Sequence, residues 1–126
     1  MGNNLKRALE LVPPGFDKRV FESTPPGFDM PENATIIHAI AWLHILSVLA
    51  NAPGGDQRWN KPHITSAPGG EIVFEWWNDP RKLTWYFNRT HKVWIESWGT
   101  HMFNEMNSGF FTNLREALDL LKWLTE

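Results

Sequence analysis

The sequence predicts an α+β fold: an antiparallel β-meander of three to five strands packed against a long helix, with a C-terminal helix and an N-terminal Pro-rich arm. Three observations predict it. Residues 71–98 alternate side-chain character in three runs joined by short turn segments, the pattern of antiparallel hairpins. Residues 31–51 carry apolar side chains at helical spacing, and so do residues 114–124. Hydrophobic residues are 42% and charged residues 21% of the chain, which matches folded rather than disordered composition. A length of 126 residues suits one domain, 1–126, with a helix and arm over 1–30 and an α+β core over 31–126.

In chain order, Leu5, Ala8, Leu9 and Val12 predict a short helix that Pro13-Pro14 stops. Pro13-Pro14-Gly15-Phe16-Asp17 then recurs as Pro25-Pro26-Gly27-Phe28-Asp29. Pro fixes φ and Gly permits a left-handed turn, so each copy reads as a turn presenting one Phe. Phe16, Val20, Phe21 and Phe28 are expected as pegs that fix the arm to the domain.

The long helix has Pro31 near its first turn and Asn33 as a candidate cap. Ile36, Ile37, Ile40, Leu43, Leu46 and Leu49 form its stripe, widened by Trp42, Ile45 and Val48. A helix apolar nearly all round is buried on several sides or spans a membrane. His38, His44 and Ser47 interrupt the apolar run and argue against a span. Asn51-Ala52-Pro53-Gly54-Gly55 ends the helix, and His63-Ile64-Thr65 is a candidate short strand.

The three strands are Glu71–Asn78, Lys82–Asn88 and Lys92–Trp98, with turns at Asn78–Arg81 and Asn88–His91. Alternation assigns Ile72, Phe74, Trp76, Leu83, Trp85, Phe87, Val93 and Ile95 to the core face. The opposite face takes Val73, Glu75, Trp77, Thr84, Tyr86, Trp94, Glu96 and Trp98. Gly99 to Phe111 reads as a further strand or an ordered loop anchored by Met102, Phe103 and Met106. Asn113 with Glu116 resembles a capping box, and Leu114, Leu118, Leu121 and Leu124 make the stripe of the last helix.

Several function classes are argued against. The net charge is −2, and the short basic group Arg81, Lys82, Arg89 and Lys92 reads as solvated hairpin ends, so duplex nucleic acid is not the expected partner. The absence of Cys removes disulfides and thiolate chemistry. No apolar stretch follows Met1-Gly2-Asn3-Asn4-Leu5-Lys6-Arg7, so no signal peptide is read and a cytoplasmic location is expected. None of the five His falls at a helical ligand spacing, and neither a metal nor another cofactor is expected. Gly69-Gly70 lacks the Lys and the following helix of a phosphate loop. No nucleophile with an adjacent base is legible, so no catalytic residue is assigned and the sequence argues more against an enzyme than for one.

The unusual number is Trp: eight, beside eight Phe and one Tyr. A solvated sheet face is mostly polar, but the second face carries Trp77, Tyr86, Trp94 and Trp98 with Glu75 and Glu96. Trp, Tyr and Arg dominate binding interfaces. These six residues are the candidate binding face, for a protein partner or a homodimer. The alternatives are a sugar or nucleotide stacked on the aromatics, and a small hydrolase using Glu75 and Glu96 as paired acids.

Pro62-His63-Ile64, Gly69-Gly70-Glu71-Ile72-Val73-Phe74-Glu75-Trp76 and Arg81-Lys82-Leu83-Thr84 together resemble a family of small uncharacterised bacterial proteins. Its members have a helix, a P-x-I segment and a G-G-x-I-x-x-E-W hairpin. The resemblance covers about residues 34–98. It implies an antitoxin-like or accessory role, and it brings no activity with it.

Overall fold

The computed structural model describes residues 2–51, 61–88, 90, 92–98 and 105–126, with backbone only at 2, 3, 50 and 51. The chain is α+β. Its helices are α1 (Gly2–Glu10), α2 (Asn33–Asn51) and α3 (Leu114–Thr125). Its strands are β1 (His63–Ser66), β2 (Ile72–Asn78), β3 (Arg81–Phe87), β4 (Lys92–Ser97) and β5 (Met106–Phe111). They form one sheet in the order β1-β2-β3-β4-β5, each strand antiparallel to the next. The ambiguous stretch before Phe111 thus supplies β5, while Met102 and Phe103 lie outside the described residues.

Both Pro-Pro-Gly-Phe copies form the turn their residues dictate. Phe16 N–H donates to the Pro13 carbonyl at 3.3 Å, and Phe28 N–H to the Pro25 carbonyl at 3.1 Å. Gly15 and Gly27 hold φ of 95° and 87°, which a side chain would oppose. Between the turns, Asp17 caps a short 3-10 helix, Lys18–Phe21, and its carboxylate receives the Arg19 side chain and backbone N–H. Those hydrogen bonds hold the Asp17 carboxyl below its ordinary range. Phe21 is buried in the core, and Phe16 and Val20 pack against it in part. Phe28 stays half-buried and is not part of that cluster.

α2 receives its first intrahelical bond on the Glu32 carbonyl, so Asn33 sits inside the first turn instead of capping it. Ile36, Ile40, Leu43 and Leu46 are buried, while Ile45, Val48 and Leu49 remain exposed. α3 begins as its sequence asks. Asn113 accepts from Glu116 N–H at 2.9 Å and donates from its amide to the Glu116 carboxylate at 2.9 Å.

The register overturns one assignment of faces. Phe87 pairs with Lys92 across the four-residue connection 88–91, and Trp85 pairs with Trp94. Directly opposed residues share a face. Lys92, Trp94 and Glu96 therefore stand with Leu83, Trp85 and Phe87 on the face that packs the core. Val93 and Ile95 stand with Tyr86 and Thr84 on the other. The expectation was the reverse. Alternation says which residues of a strand share a face, and the pairing decides which face that is.

Both sheet-packing helices lie against this first face. His38 of α2 meets Phe87 edge-on with ring centroids 6.2 Å apart, and Trp42 meets Phe111 at 5.6 Å. Ala117, Leu120 and Leu124 of α3 are buried in the same cluster. Its centre is Trp85, fully buried, with ring centroids 4.6 Å from Trp76 and 4.9 Å from Phe111. The tip of the β2–β3 hairpin closes the C-terminus of α3. Asn78 Nδ2 donates to the Leu124 carbonyl at 2.7 Å, and the Arg81 guanidinium donates to the Trp123 carbonyl and lies 5.2 Å from the Trp123 ring. Asn78 supplies a donor to the Leu124 carbonyl at the helix end, and Arg81 adds a second donor to the Trp123 carbonyl, which also accepts Glu126 N–H at 3.3 Å, and meets the negative pole of the helix.

Candidate functional site

The second face is built from alternate residues of five strands: His63 and Thr65, then Val73, Glu75 and Trp77, then Lys82, Thr84 and Tyr86, then Val93, Ile95 and Ser97, then Met106, Ser108 and Phe110. The small side chains at its centre, Val73 and Thr84, are buried beneath larger neighbours. Trp77 is 48% exposed, Met106 42% and Phe110 66%. Tyr86, Val93 and Ile95 are half-buried. Among the described residues, the contacts of α2 and α3 with the sheet fall on the first face. An antiparallel sheet with one solvated face normally carries polar residues there. Here a partly exposed face keeps the rings of Trp77, Tyr86 and Phe110 and the β-branched chains of Val93 and Ile95.

One ion pair crosses this surface. Lys82 Nζ lies 2.9 Å from Glu75 Oε2, on the diagonal between β2 and β3, with both side chains mostly buried. Lys82 Nζ also sits 5.4 Å from the Trp77 ring centroid, and His63 stands against the same indole at 6.0 Å. Trp77 is therefore held on both sides while half its surface stays open. A restrained, half-exposed aromatic loses little conformational freedom when something binds it.

The six residues expected to form one binding face divide between two. Glu75, Trp77 and Tyr86 stand on the second face. Trp94, Glu96 and Trp98 turn toward α3. Trp94 is opposite Gly109 and packs against the core in part, and Trp98 meets Trp123 with centroids 6.3 Å apart. Glu75 and Glu96 leave the sheet from opposite sides, so they cannot flank one glycosidic bond as paired acids must. The hydrolase reading loses its geometry.

Glu96 instead borders an open cleft of about 390 Å³ with Trp94, Phe110, Glu116, Asp119 and Leu120. Burial raises the Glu96 carboxyl above its ordinary range, and the positive Arg81 partly opposes this. A second groove, about 530 Å³, runs between the 3-10 helix and β1, lined by Val20, Pro25, Ile64, Thr65 and Ser66 among others. Among the described residues no three His, Asp or Glu gather as metal ligands do.

The basic residues read as solvated hairpin ends have inward duties. Arg81 caps α3, Lys82 pairs with Glu75, and Lys92 lies between α2 and the sheet with its Nζ 3.2 Å from His38 Nε2. Arg89 lies outside the described residues. Sequence reasoning missed Val93 and Ile95 as members of the open face, and also Met106 and Phe110. The signal for the first pair was present: an even-numbered connection between Phe87 and Lys92 places those two residues opposite each other. No helix among the described residues is long and apolar enough to cross a membrane.

No protein-family model matches the chain, and neither a curated protein nor a solved structure matches it.

Proposed function

We propose that the chain is a non-catalytic protein-binding module, of the antitoxin, immunity, inhibitor or accessory kind, that engages its partner through the second sheet face. The observation that carries this reading is Trp77. It is a half-exposed indole flanked by Lys82 and His63, on the same face as Tyr86, Val93 and Ile95 and opposite both sheet-packing helices. Aromatic anchors of this kind contribute most of the binding energy in protein interfaces, and the rim charges Glu75 and Lys82 supply orientation. The partner is a second protein, or a second copy of this chain closing a two-fold dimer over the same face.

The test is capture from the native host together with light scattering of the purified protein, comparing wild type with Trp77→Ala/Tyr86→Ala. A stoichiometric partner, or a dimer, that the folded double variant loses supports the reading. A wild-type protein that is monomeric and comes down alone overturns it. Trp94→Ala is the companion variant: it alters the first face, so a folded Trp94→Ala protein keeps the partner.

A further inference from the structure

We propose that Lys92 is a nucleophilic lysine and a site of covalent acylation, its amine attacking an uncharged acyl thioester with the His38 imidazole taking up the proton. The inference rests on a juxtaposition that the proposed binding face does not involve. Lys92 projects from β4 on the first face, into the junction between the sheet and α2. Its Nζ lies 3.2 Å from His38 Nε2, 5.3 Å from the Trp42 ring centroid and 5.8 Å from the Phe111 centroid. No carboxylate among the described residues stands within ion-pair distance of it.

Each neighbour bears on the proton. An imidazole that accepts from the Lys92 ammonium at Nε2 is neutral and carries its own proton on Nδ1. It is the one described group in hydrogen-bonding reach that can take a proton from the amine. The two rings lie within cation–π range of Nζ and favour the ammonium, so they oppose release of its proton. The negative charge of Glu116 on α3 favours the ammonium. Burial outweighs it and holds Lys92 below its ordinary range. His38 is held below its own ordinary range by burial and then by the Lys92 charge, so it stays neutral and able to accept. A partly buried amine beside a base is one arrangement that activates a lysine.

The step balances without a redox partner. Lys92 first gives its ammonium proton through His38 Nε2 to water; the freed nitrogen lone pair then forms a bond to the thioester carbonyl carbon, and the carbon–sulfur bond breaks. The thiolate leaves, and the second proton lost by nitrogen passes through His38 Nε2 to the thiolate or to water. The products are an amide and a thiol. The negative Glu116 disfavours an anionic acyl group at Lys92.

The experiment is pulsed acetylation of the folded protein with an acetyl thioester near pH 7.5, with the rate at each lysine read by peptide mass spectrometry. The same chain in urea supplies the intrinsic rates. Lys92 is expected to react at least about threefold faster than the median of Lys6, Lys18, Lys61, Lys82 and Lys122, after normalisation. His38→Ala removes that excess, and Glu116→Gln increases it, because the group that favours the ammonium is gone. A normalised Lys92 rate at or below the median overturns the proposal. So does a Lys92 rate that His38→Ala and Glu116→Gln leave unchanged while circular dichroism shows both variants folded.

Discussion

Gly109 and Trp94 are directly opposed on β5 and β4, and a Cβ added to Gly109 would stand 2.9 Å from Cζ2 of the indole. The missing side chain is the space in which the Trp94 ring rests. The sequence Ser108-Gly109 reads as a turn, yet Gly109 lies within a strand because a bulky neighbour needs the room.

Gly109→Ala is therefore expected to destabilise the fold by about 1–3 kcal/mol, the usual cost of crowding a packed ring. Gly69→Ala is the control. Its added Cβ would meet only the Glu71 carboxylate, a flexible end that swings away, and no positive φ stands in its way. Reducing the freedom of the unfolded chain makes that change neutral or stabilising by up to about 1 kcal/mol. Urea titration of both variants checks the pair.

Two tryptophans of neighbouring strands should behave oppositely. Trp85 is fully buried at the centre of the aromatic cluster, so Trp85→Ala is expected to cost about 3–5 kcal/mol. Trp77 is half-exposed on the second face, and Trp77→Ala is expected to cost about 1 kcal/mol or less. Thermal denaturation distinguishes them. Equal losses would mean that the second face is part of the core.

Asn113→Ala removes the oxygen that accepts Glu116 N–H and the amide that holds the Glu116 carboxylate. The loss is expected to be about 1 kcal/mol, with fraying confined to the first turn of α3. Hydrogen exchange of Glu116 and Ala117 amides reads it directly.

His38 and Glu96 give opposite pH dependences. The folded His38 binds its proton less tightly than the unfolded chain does. Below about pH 6.5 the unfolded state therefore takes up more protons, and stability falls as pH drops through the folded value. The contribution is complete above that window. Glu96 is raised above 4.5, so the folded state holds more protons there. Its contribution is present below 4.5 and is lost as pH rises through the folded value. Glu96→Gln is expected to remove that loss and His38→Ala to flatten the decline below 6.5. Urea midpoints across about pH 4–8 check both slopes.

Much of the fold is legible in the residues themselves. The Pro-Pro-Gly-Phe turns, the capping of α3 by Asn113 and the hairpin at Asn78–Arg81 are local events, and local chemistry specifies them. β5 was half-legible, since Met106-Asn107-Ser108-Gly109-Phe110-Phe111 alternates poorly and its Gly reads as a turn. The candidate face was legible only in part: Glu75, Trp77 and Tyr86 lie on it, whereas Trp94, Glu96 and Trp98 do not. Both alternations of β4 are apolar enough for a core, Val93 with Ile95 or Trp94 with Trp98, so composition gives no preference.

The sequence by itself determined the order of the elements, the turns between them and which residues within a strand share a side. The length of the 88–91 connection carried the β3–β4 register, and only the tertiary structure decided which side of the sheet the helices cover, because packing of α2 and α3 on the strands joins distant parts of the chain. The same holds for Lys92 and His38, 54 residues apart and within hydrogen-bonding distance. Periodicity is a property of one segment, and a site is a property of several segments brought together.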